Sequence, residues 1–566
     1  MVIINRRRLI DKIATACLSR SISYISNSNV VYFLLQVITS VMTSMTLLSS
    51  GMSLGFSGVA LPHMKTPEST VYVDTQAASW IASLANLATP IGCLMAGPIM
   101  DRLGRKLTMV MVGVPAVAGW MLIAINPNLP RIYIGRLLTG LATGLSSIPS
   151  TVYTSEIATN SMRGILVTCS SIAIAVGILT EYCLGWWFQA MWEHTALVSG
   201  VISIVVSGLV FIGVPESPVW LVSRGQNQDA SKSLCSLRGT KSKNKIEKEL
   251  NQIIENSRSY RGRSISLSRS LAGLALPQAY KPLIIMNMYF LFQQVSGLFV
   301  IVFYAVDVIK MAGVTADPYM IAVLIAFLRL VSIIVSVWIS RTFGRRFASI
   351  WSGVGITVSM FLLVGYCYFV PNAGTEAAKL VVENATLIVE TVENSSSLVT
   401  DAPVTLVTPS TVENVTLNIV NALDSDLVRG FSWVPIAALL LHIVFGTIGF
   451  LTVPWCMIGE VFPAQVRGIA CSITSCFAYL SSFVVIKLYP SMMLNMGKVG
   501  VFSFYGFMSL LGTIFVLVYL PETRGKTFEA IEKHFANGSG VSKSPEEVSL
   551  QTKNSRPPII KPAQST

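Results

Sequence analysis

Long uncharged apolar runs separated by short polar turns make up most of this chain. A helix needs about 20 consecutive apolar residues to cross the hydrocarbon core of a bilayer. Twelve runs approach or exceed that length, and they lie at roughly 32–62, 77–100, 107–130, 137–155, 164–180, 195–214, 282–306, 319–340, 347–370, 430–458, 468–486 and 499–520. Only Arg329 interrupts the eighth run. The pattern predicts twelve membrane-spanning helices, numbered span 1 to span 12 in chain order.

The composition agrees with a membrane protein. The 566 residues are 52% hydrophobic and 12% charged, about half the charged fraction of an ordinary soluble domain. Residues 1–31 are largely polar and include Arg6, Arg7 and Arg8, so no cleavable signal peptide is evident and span 1 is expected to be retained. The nine cysteines lie mostly in apolar runs without paired metal spacing, which favours packing over a disulfide scaffold or a metal site.

The net charge of +13 follows the predicted topology. With the N-terminus placed inside, 32 of the 41 Lys and Arg residues lie on one side of the membrane. Cytoplasmic loops are enriched in Lys and Arg, so this side is predicted to be cytoplasmic, with both termini on it. The basicity is then a topology signal, and we expect a multi-pass plasma-membrane protein in contact with the lipid bilayer, without a nucleic-acid partner.

The charged turns repeat in the second half of the chain. The turn DRLGRK (101–106) after span 2 matches RTFGRR (341–346) after span 8, at an offset of 240. Glu156 matches Glu460 at an offset of 304, and PESP (215–218) matches PETRG (521–525) at 306. A six-helix unit used twice is typical of transporters whose site lies between the repeats. The predicted fold class is an all-α membrane protein with twelve transmembrane helices in two six-helix bundles.

The jump of 64 in the offset predicts an insertion in the second repeat, the polar segment 371–430. Counting spans places this loop outside the cell, and it carries eight acids against two bases. Its sequons at Asn384, Asn394 and Asn414 are predicted glycosylation sites. The predicted units are a cytoplasmic N-tail (1–31), an N-terminal bundle (32–214), a cytoplasmic linker of short helices (215–281), a C-terminal bundle (282–520) and a cytoplasmic C-tail (521–566).

Several short motifs, in order and at consistent spacing, resemble those of a known family. They are DRLGRK, Arg136 with Gly140 and Gly144, Tyr153 with Glu156 and Arg163-Gly164, PESPVWL (215–221), QQVSG (293–297), Pro454-Trp455 with Glu460, Arg467-Gly468, and PETRGKTFEAIEKHF (521–535). Across residues 30–535 the chain resembles a sugar porter of the major facilitator superfamily, most closely the insect facilitated trehalose transporter group. The resemblance implies the major facilitator fold and a small-molecule sugar substrate, with no cofactor and no enzymatic activity; we expect a monomer.

The resemblance assigns a gating role to charged groups at the cytoplasmic helix ends. In the first half these are Asp101, Arg102, Arg105 and Arg163 with Glu156, and in the second half Arg345, Glu460 and Arg467. Such pairs are implied to hold the cytoplasmic gate closed while the site faces outward. The alternative is that these charges only set the topology. The second set is expected to be weaker, because Arg341 stands where the pattern has an acid.

Gln293, Gln294 and Trp455 are the first candidates for binding a sugar. A carboxamide offers donors and an acceptor for hydroxyl groups, and an unpaired amide within the bilayer is costly. The resemblance implies that the two amides face the central cavity and that the Trp455 ring covers a sugar ring. The alternatives are amides that join span 7 to a neighbouring helix and a tryptophan that only packs.

Four other candidate positions depart from the pattern of glucose carriers. By motif alignment Ser171 replaces a Gln, Phe299 and Arg329 each replace an Asn, and Ala478-Tyr479 replaces Asn-Trp. An arginine in mid-span costs at least ~2.5–3.5 kcal/mol on insertion scales, so Arg329 is expected to face water, substrate or a carboxylate. Glu181 and Asp307 are the candidate partners.

The leading hypothesis is a uniporter that moves trehalose or a hexose by alternating access. Proton-driven relatives carry an Asp on span 1 after a Gly-aromatic pair, whereas here Gly55-Phe56 is followed by Ser57, which favours facilitated diffusion. No phosphate-binding loop is found that would indicate ATP-driven transport. Two alternatives stay open: a carrier of another polar solute, such as a polyol or an organic anion attracted by Arg329, and a nutrient receptor that does not transport.

Overall fold

The structure is a computed structural model, and it describes residues 28–159, 162–189, 191–240, 243–261, 273–311, 316–369, 433–463, 466–526 and 528–536. Within these ranges the regular structure is helical, without β-strands. The predicted glycosylation sites Asn384, Asn394 and Asn414 lie outside the described residues.

Of the first six spans, 1, 2 and 6 begin and end close to the predicted positions, while span 3 ends before the predicted 130 and span 5 extends beyond the predicted 180. Their helices are Ser28–Ser44 continued through Met45–Leu47 into Leu48–Met64 for span 1, Thr75–Leu103 for span 2, Arg105–Met111 with Gly113–Ala124 for span 3, Leu129–Ile157 for span 4, Thr168–Phe188 for span 5 and Trp192–Gly213 for span 6. Side-chain oxygens of Asp74 and Asn128 accept backbone N–H groups and so cap the starts of spans 2 and 4. Span 4 begins at Leu129, before the predicted 137, because the helix includes Arg136.

The last six spans include two interrupted helices. Span 7 is Pro277–Val295, Leu298–Phe303 and Ala305–Met311, with Gly297 at φ 84° in the first break. Span 8 is Pro318–Thr342 and span 9 is Arg345–Phe369. Span 10 is Trp433–Gly446, a π-helical turn Thr447–Leu451 and Thr452–Val461.

Spans 11 and 12 lie in one helical stretch, Arg467–Tyr519. Its 53 residues would extend about 80 Å if straight, far more than a bilayer core. Gly497 interrupts it with φ 65° and ψ 178°, a conformation that glycine adopts without steric cost. By length and hydropathy nine helices of the described chain qualify as spans, this stretch counting once. Span 4 and the interrupted span 7 complete the twelve.

Shorter helices flank the bundle. Pro218–Ser223, Asn227–Arg238 and Lys243–Arg261 lie in the segment predicted as a linker of short helices, and Phe528–Ala536 follows span 12. The turns 101–106 and 341–346 mark one end of the bundle, called here the basic end, and the other end is called the opposite end.

Small residues allow the spans to pack closely. A Cβ atom on Gly140 would lie 2.1 Å from the Ala85 carbonyl oxygen, and one on Gly144 would lie 2.1 Å from that of Thr89. Spans 2 and 4 therefore approach each other backbone to backbone, which is the mode of packing that lipid-embedded helices favour. The largest apolar cluster lies toward the opposite end and includes Phe56, Phe303 and Tyr489.

Candidate solute path and its charged ends

Hydrogen bonds join the two halves at the opposite end. Lys65 Nζ on span 1 lies 2.7 Å from Asp307 Oδ2 on span 7. The Tyr182 hydroxyl on span 5 donates to the Val302 carbonyl oxygen at 2.6 Å. Spans 2 and 11 meet where Lys487 Nζ donates to Ser79 Oγ at 2.6 Å and lies 3.9 Å from the centre of the Trp80 ring. These contacts close the bundle at that end.

Gln293 and Gln294 lie buried on span 7 with different partners. The Gln293 amide donates to the carbonyl oxygens of Phe450 and Leu451 on span 10, at 2.7 and 3.0 Å. The π-helical turn Thr447–Leu451 frees carbonyl groups that an α-helix would use. In this state Gln293 joins span 7 to span 10, the role given above as its alternative. Gln294 Oε1 is buried without a hydrogen-bond partner.

Trp455 belongs to an aromatic group between spans 7, 10 and 11. Its ring packs edge-on against Phe290, with centroids 4.9 Å apart, and lies 5.6 Å from Tyr479. The tryptophan is 36% exposed, so part of its surface is not covered by protein. Phe299 is partly buried against the main apolar cluster. Ser171 is exposed near the basic end of span 5 and is not part of this aromatic group.

Buried polar atoms without partners are frequent on the spans where the halves face each other. Among the described residues they include Asn86 Nδ2 on span 2, Gln294 Oε1 on span 7, Arg329 Nε on span 8, and the hydroxyl oxygens of Thr474 and Ser482 on span 11. Spans 2 and 11, and spans 5 and 8, are the helix pairs that make the most extensive contact between halves. A buried polar atom without a partner is costly, so such atoms mark positions that water or solute can satisfy.

Arg136 and Glu181 are both buried within the first half and have different hydrogen-bond partners. The Arg136 guanidinium donates to the carbonyl oxygens of Ile81 and Ser53 and to the Ser57 hydroxyl, at 2.9, 2.8 and 3.2 Å. Glu181 accepts from the Ser199 hydroxyl at 2.8 Å. Because Arg136 precedes the predicted span 137–155, no local pattern in the sequence indicated these buried hydrogen bonds.

Neither candidate partner of Arg329 contacts it. Asp307 is bound to Lys65, and Glu181 accepts from Ser199. Arg329 is 6% exposed, and within the described chain no hydrogen bond or ion pair satisfies its guanidinium. Its charge is therefore uncompensated by protein.

The predicted ion pair of the first charged turn is present. Arg105 Nη2 lies 2.8 Å from Glu156 Oε1, and Arg105 Nε donates to the same carboxylate. Glu156 also accepts from the Ser217 hydroxyl. Asp101 is 3.8 Å from Arg105 and largely exposed.

The second charged turn repeats this arrangement. Arg345 Nη2 lies 2.7 Å from Glu460 Oε1, and the Thr523 hydroxyl donates to Glu460 Oε2 at 2.6 Å. Arg341 has replaced the acid, yet the pair between arginine and glutamate is intact. Arg467 Nε instead donates to the Phe462 carbonyl oxygen at 3.1 Å.

Each turn is also capped by a carboxylate that sequence reasoning did not assign to the gate. Glu216 accepts the backbone N–H groups of Arg105 and Lys106, and Glu522 accepts those of Arg345 and Arg346. Burial raises the pKa of the Glu216 carboxyl, while these N–H groups and the Arg105 charge oppose the rise. The sequence feature that could have indicated these two caps is the match between PESP and PETRG at an offset of 306.

The ion pairs at the basic end lie within single halves. Each described pair joins a turn to a helix of its own bundle, and both are formed while the opposite end is closed. They therefore order the turns in this state and do not bridge the halves. The Arg102 carbonyl oxygen accepts from Arg224, and the side chain of Arg163 is outside the described part of the structure. No group of three or more His, Cys, Asp or Glu in the described ranges could hold a metal ion.

Curated relatives are insect sugar carriers. The chain is 28% identical over 509 residues to the facilitated trehalose transporter Tret1 of Apis mellifera ligustica, covering 89% of each chain. It is 27% identical over 499 residues to Tret1 of Culex quinquefasciatus, covering 88% of this chain and 85% of the relative. Tret1 of Drosophila willistoni is 28% identical and is longer, so that the chain spans 52% of its length.

Solved structures and a family profile agree with the fold. The inward open conformation of the xylose transporter XylE from E. coli superposes with a TM-score of 0.64 at 20% identity, covering 88% of this chain and 99% of that one. A D-xylose-proton symporter superposes with a TM-score of 0.57 at 20% identity, covering 87% and 99%. The profile described as "Sugar (and other) transporter" matches residues 39–390 and 407–535. The chain therefore belongs to the sugar (and other) transporter family and shares the fold of these solved structures.

Proposed function

We propose that the chain is a facilitative carrier that moves trehalose or a hexose across the plasma membrane by alternating access. The observation that carries this proposal is the set of buried polar atoms without partners on spans 2, 7 and 11. Hydroxyl groups of a sugar would satisfy such atoms, and two six-helix bundles that rock about them would expose them to each side in turn. The names of the insect relatives support trehalose as the first solute to test.

Gln294 and Trp455 are proposed as direct solute contacts. Gln294 Oε1 has no protein donor in this state, so a sugar hydroxyl would satisfy it. An aromatic ring suits the apolar face of a sugar, and Trp455 is partly uncovered by protein. Gln293 is proposed to act indirectly, because its amide donates to span 10 and thereby connects the solute site to a helix that moves.

Uniport is supported by Ser57. Its hydroxyl accepts from Arg136 at 3.2 Å, and a serine cannot take up and release a proton as a carboxylate would. One structural neighbour is described as a D-xylose-proton symporter, and this chain would differ from it in not coupling sugar transport to protons. Of the two buried carboxyls in the described chain, Asp307 is paired with Lys65, so Glu181 would have to carry protons if coupling existed.

The predicted topology indicates which side of the membrane each end of the bundle faces. With the basic end in the cytoplasm, the contacts between halves at the opposite end close the extracellular side. The state is then inward-facing, as in the XylE structure described as inward open.

Uptake of labelled trehalose and glucose into oocytes, with and without a proton gradient, tests the proposal. We expect flux down the sugar gradient that a proton gradient does not accelerate and that Glu181→Gln leaves insensitive to pH. Gln294→Ala should lower flux at unchanged surface expression, while Gln226→Ala, at an exposed site, is the matched control. Surface-expressed protein that moves neither sugar would refute the proposal.

A further inference from the structure

The guanidinium of Arg329 has no partner among the described residues, and its burial calls for a functional explanation. Four charged side chains of the described chain are buried: Arg136, Glu181, Asp307 and Arg329. Arg136 donates to Ile81, Ser53 and Ser57. Glu181 accepts from Ser199, and Asp307 is paired with Lys65. Arg329 alone among these four has neither an ion pair nor a hydrogen bond. A buried charge without a partner is rare inside a membrane and marks a functional site.

Arg329 also lies where the two halves meet. It is near the middle of span 8, which packs against span 5 of the other half. Span 5 carries Tyr182, whose hydroxyl donates to Val302 as part of the closed opposite end. A solute held by Arg329 would therefore touch both halves just inside the closure.

We propose that Arg329 is an anion subsite of the transport site and that the substrate class includes sugar acids with one carboxylate. This inference rests on the proposed sugar transport. A guanidinium binds a carboxylate with two parallel hydrogen bonds, which would satisfy the Nε that now lacks an acceptor. One unpaired cation balances one negative charge, so a monoanionic carboxylate fits better than a dianionic phosphate ester.

The inference has an electrical consequence. Arg329 stays in the protein while the solute crosses, so uniport of a monoanion moves one net charge per molecule. Uptake of a neutral sugar by the same path moves none. Current therefore separates the two substrate classes in one preparation.

Proteoliposomes containing the full chain, given labelled glucuronate or glucose under a clamped potential, provide the test. We expect glucuronate uptake that an inside-positive potential accelerates, with current in proportion to flux, and glucose uptake that does not respond to potential. Arg329→Gln should lower glucuronate uptake at least about tenfold while glucose uptake changes less than about twofold. Arg329→Lys should keep part of the anion flux, because the charge is retained but not the two-bond geometry.

Arg131→Gln is the matched control. Arg131 is exposed at the opposite end of span 4, so its replacement removes the same charge from the surface and should leave the ratio of glucuronate to glucose unchanged. Glucose flux without glucuronate flux in the wild-type protein would overturn the inference and leave sugar transport standing. Equal loss of both fluxes in Arg329→Gln, at equal amounts of folded protein, would also overturn it. Absence of flux for both solutes would refute the proposed function itself.

Discussion

Loss of the Lys65–Asp307 ion pair should shift the balance between the two states of the carrier. The pair joins span 1 to span 7, and so exists only while the opposite end is closed. The two charged atoms are 2.7 Å apart, and the side chains of Lys65 and Asp307 are 33% and 12% exposed. Asp307→Asn removes the ion pair while keeping the size of the side chain.

The expected size of the effect follows from this geometry. At an effective dielectric constant of about 20 the Coulomb attraction would be about 6 kcal/mol, but desolvation and side-chain ordering offset most of it. A hydrogen bond to a charged group contributes about 1.5–3 kcal/mol net. Because Lys65 is a third exposed, we take the lower value of about 1.5 kcal/mol, which is a shift of about tenfold toward the open state.

Thiol labelling measures this shift. Ser482 is buried on span 11, and Ser482→Cys in a protein whose native cysteines are replaced provides a single reporter. An impermeant thiol reagent on the predicted extracellular side should react about tenfold faster when Asp307→Asn is added. Exchange of the charges, Lys65→Asp with Asp307→Lys, should restore the slow rate.

Glu193→Gln is the control for the loss of a negative charge at the same end. Glu193 accepts from Thr70 within the first half, so its replacement should leave the labelling rate unchanged. A change of less than about twofold in Asp307→Asn, or the same change in both variants, would refute the argument that contacts between halves at this end hold the state closed.

Two further predictions concern the turns and the inserted loop. Gly344 has φ 103°, and a Cβ atom there would lie 2.4 Å from Glu522 Oε2, so Gly344→Ala should destabilise the protein by about 1–3 kcal/mol; the unfolding temperature of the purified protein measures this, and Gly97→Ala, with open space around it, should change it far less. Asn384, Asn394 and Asn414 should carry glycans, so deglycosylase treatment should increase gel mobility unless all three are replaced, and a wild-type protein that does not shift would contradict the predicted outside loop.

The charged turns explain how far sequence reasoning reaches. Arg105 and Glu156 are 51 residues apart, and their pairing could be anticipated because the motif is duplicated in Arg345 and Glu460. Glu216, which caps the first turn, is 111 residues from Arg105. The sequence indicated it only through the glutamate that PESP and PETRG share. A repeat indicates that a residue matters, whereas the atoms it binds depend on how the helices fold back on one another.

The amides of span 7 were harder to interpret from sequence. Gln293 and Gln294 are neighbours in the same motif, and the sequence alone predicted the same role for both. Successive residues of a helix point about 100° apart, so the two side chains meet different surroundings. Span 10 supplies carbonyl groups to Gln293 at its π-helical turn, and no periodicity in the sequence marks that turn.

The sequence by itself determined the twelve predicted spans, the duplication and the family. Apolar length and charge placement are local properties of the chain, and they decide which segments enter a bilayer and in which orientation. Arg329 could be identified from sequence as an anomaly, since any mid-span arginine needs an explanation. Only the tertiary structure decided that Asp307 and Glu181 are engaged elsewhere, and that the halves are joined at one end. Those facts depend on distances between residues far apart in the chain, and packing alone sets such distances.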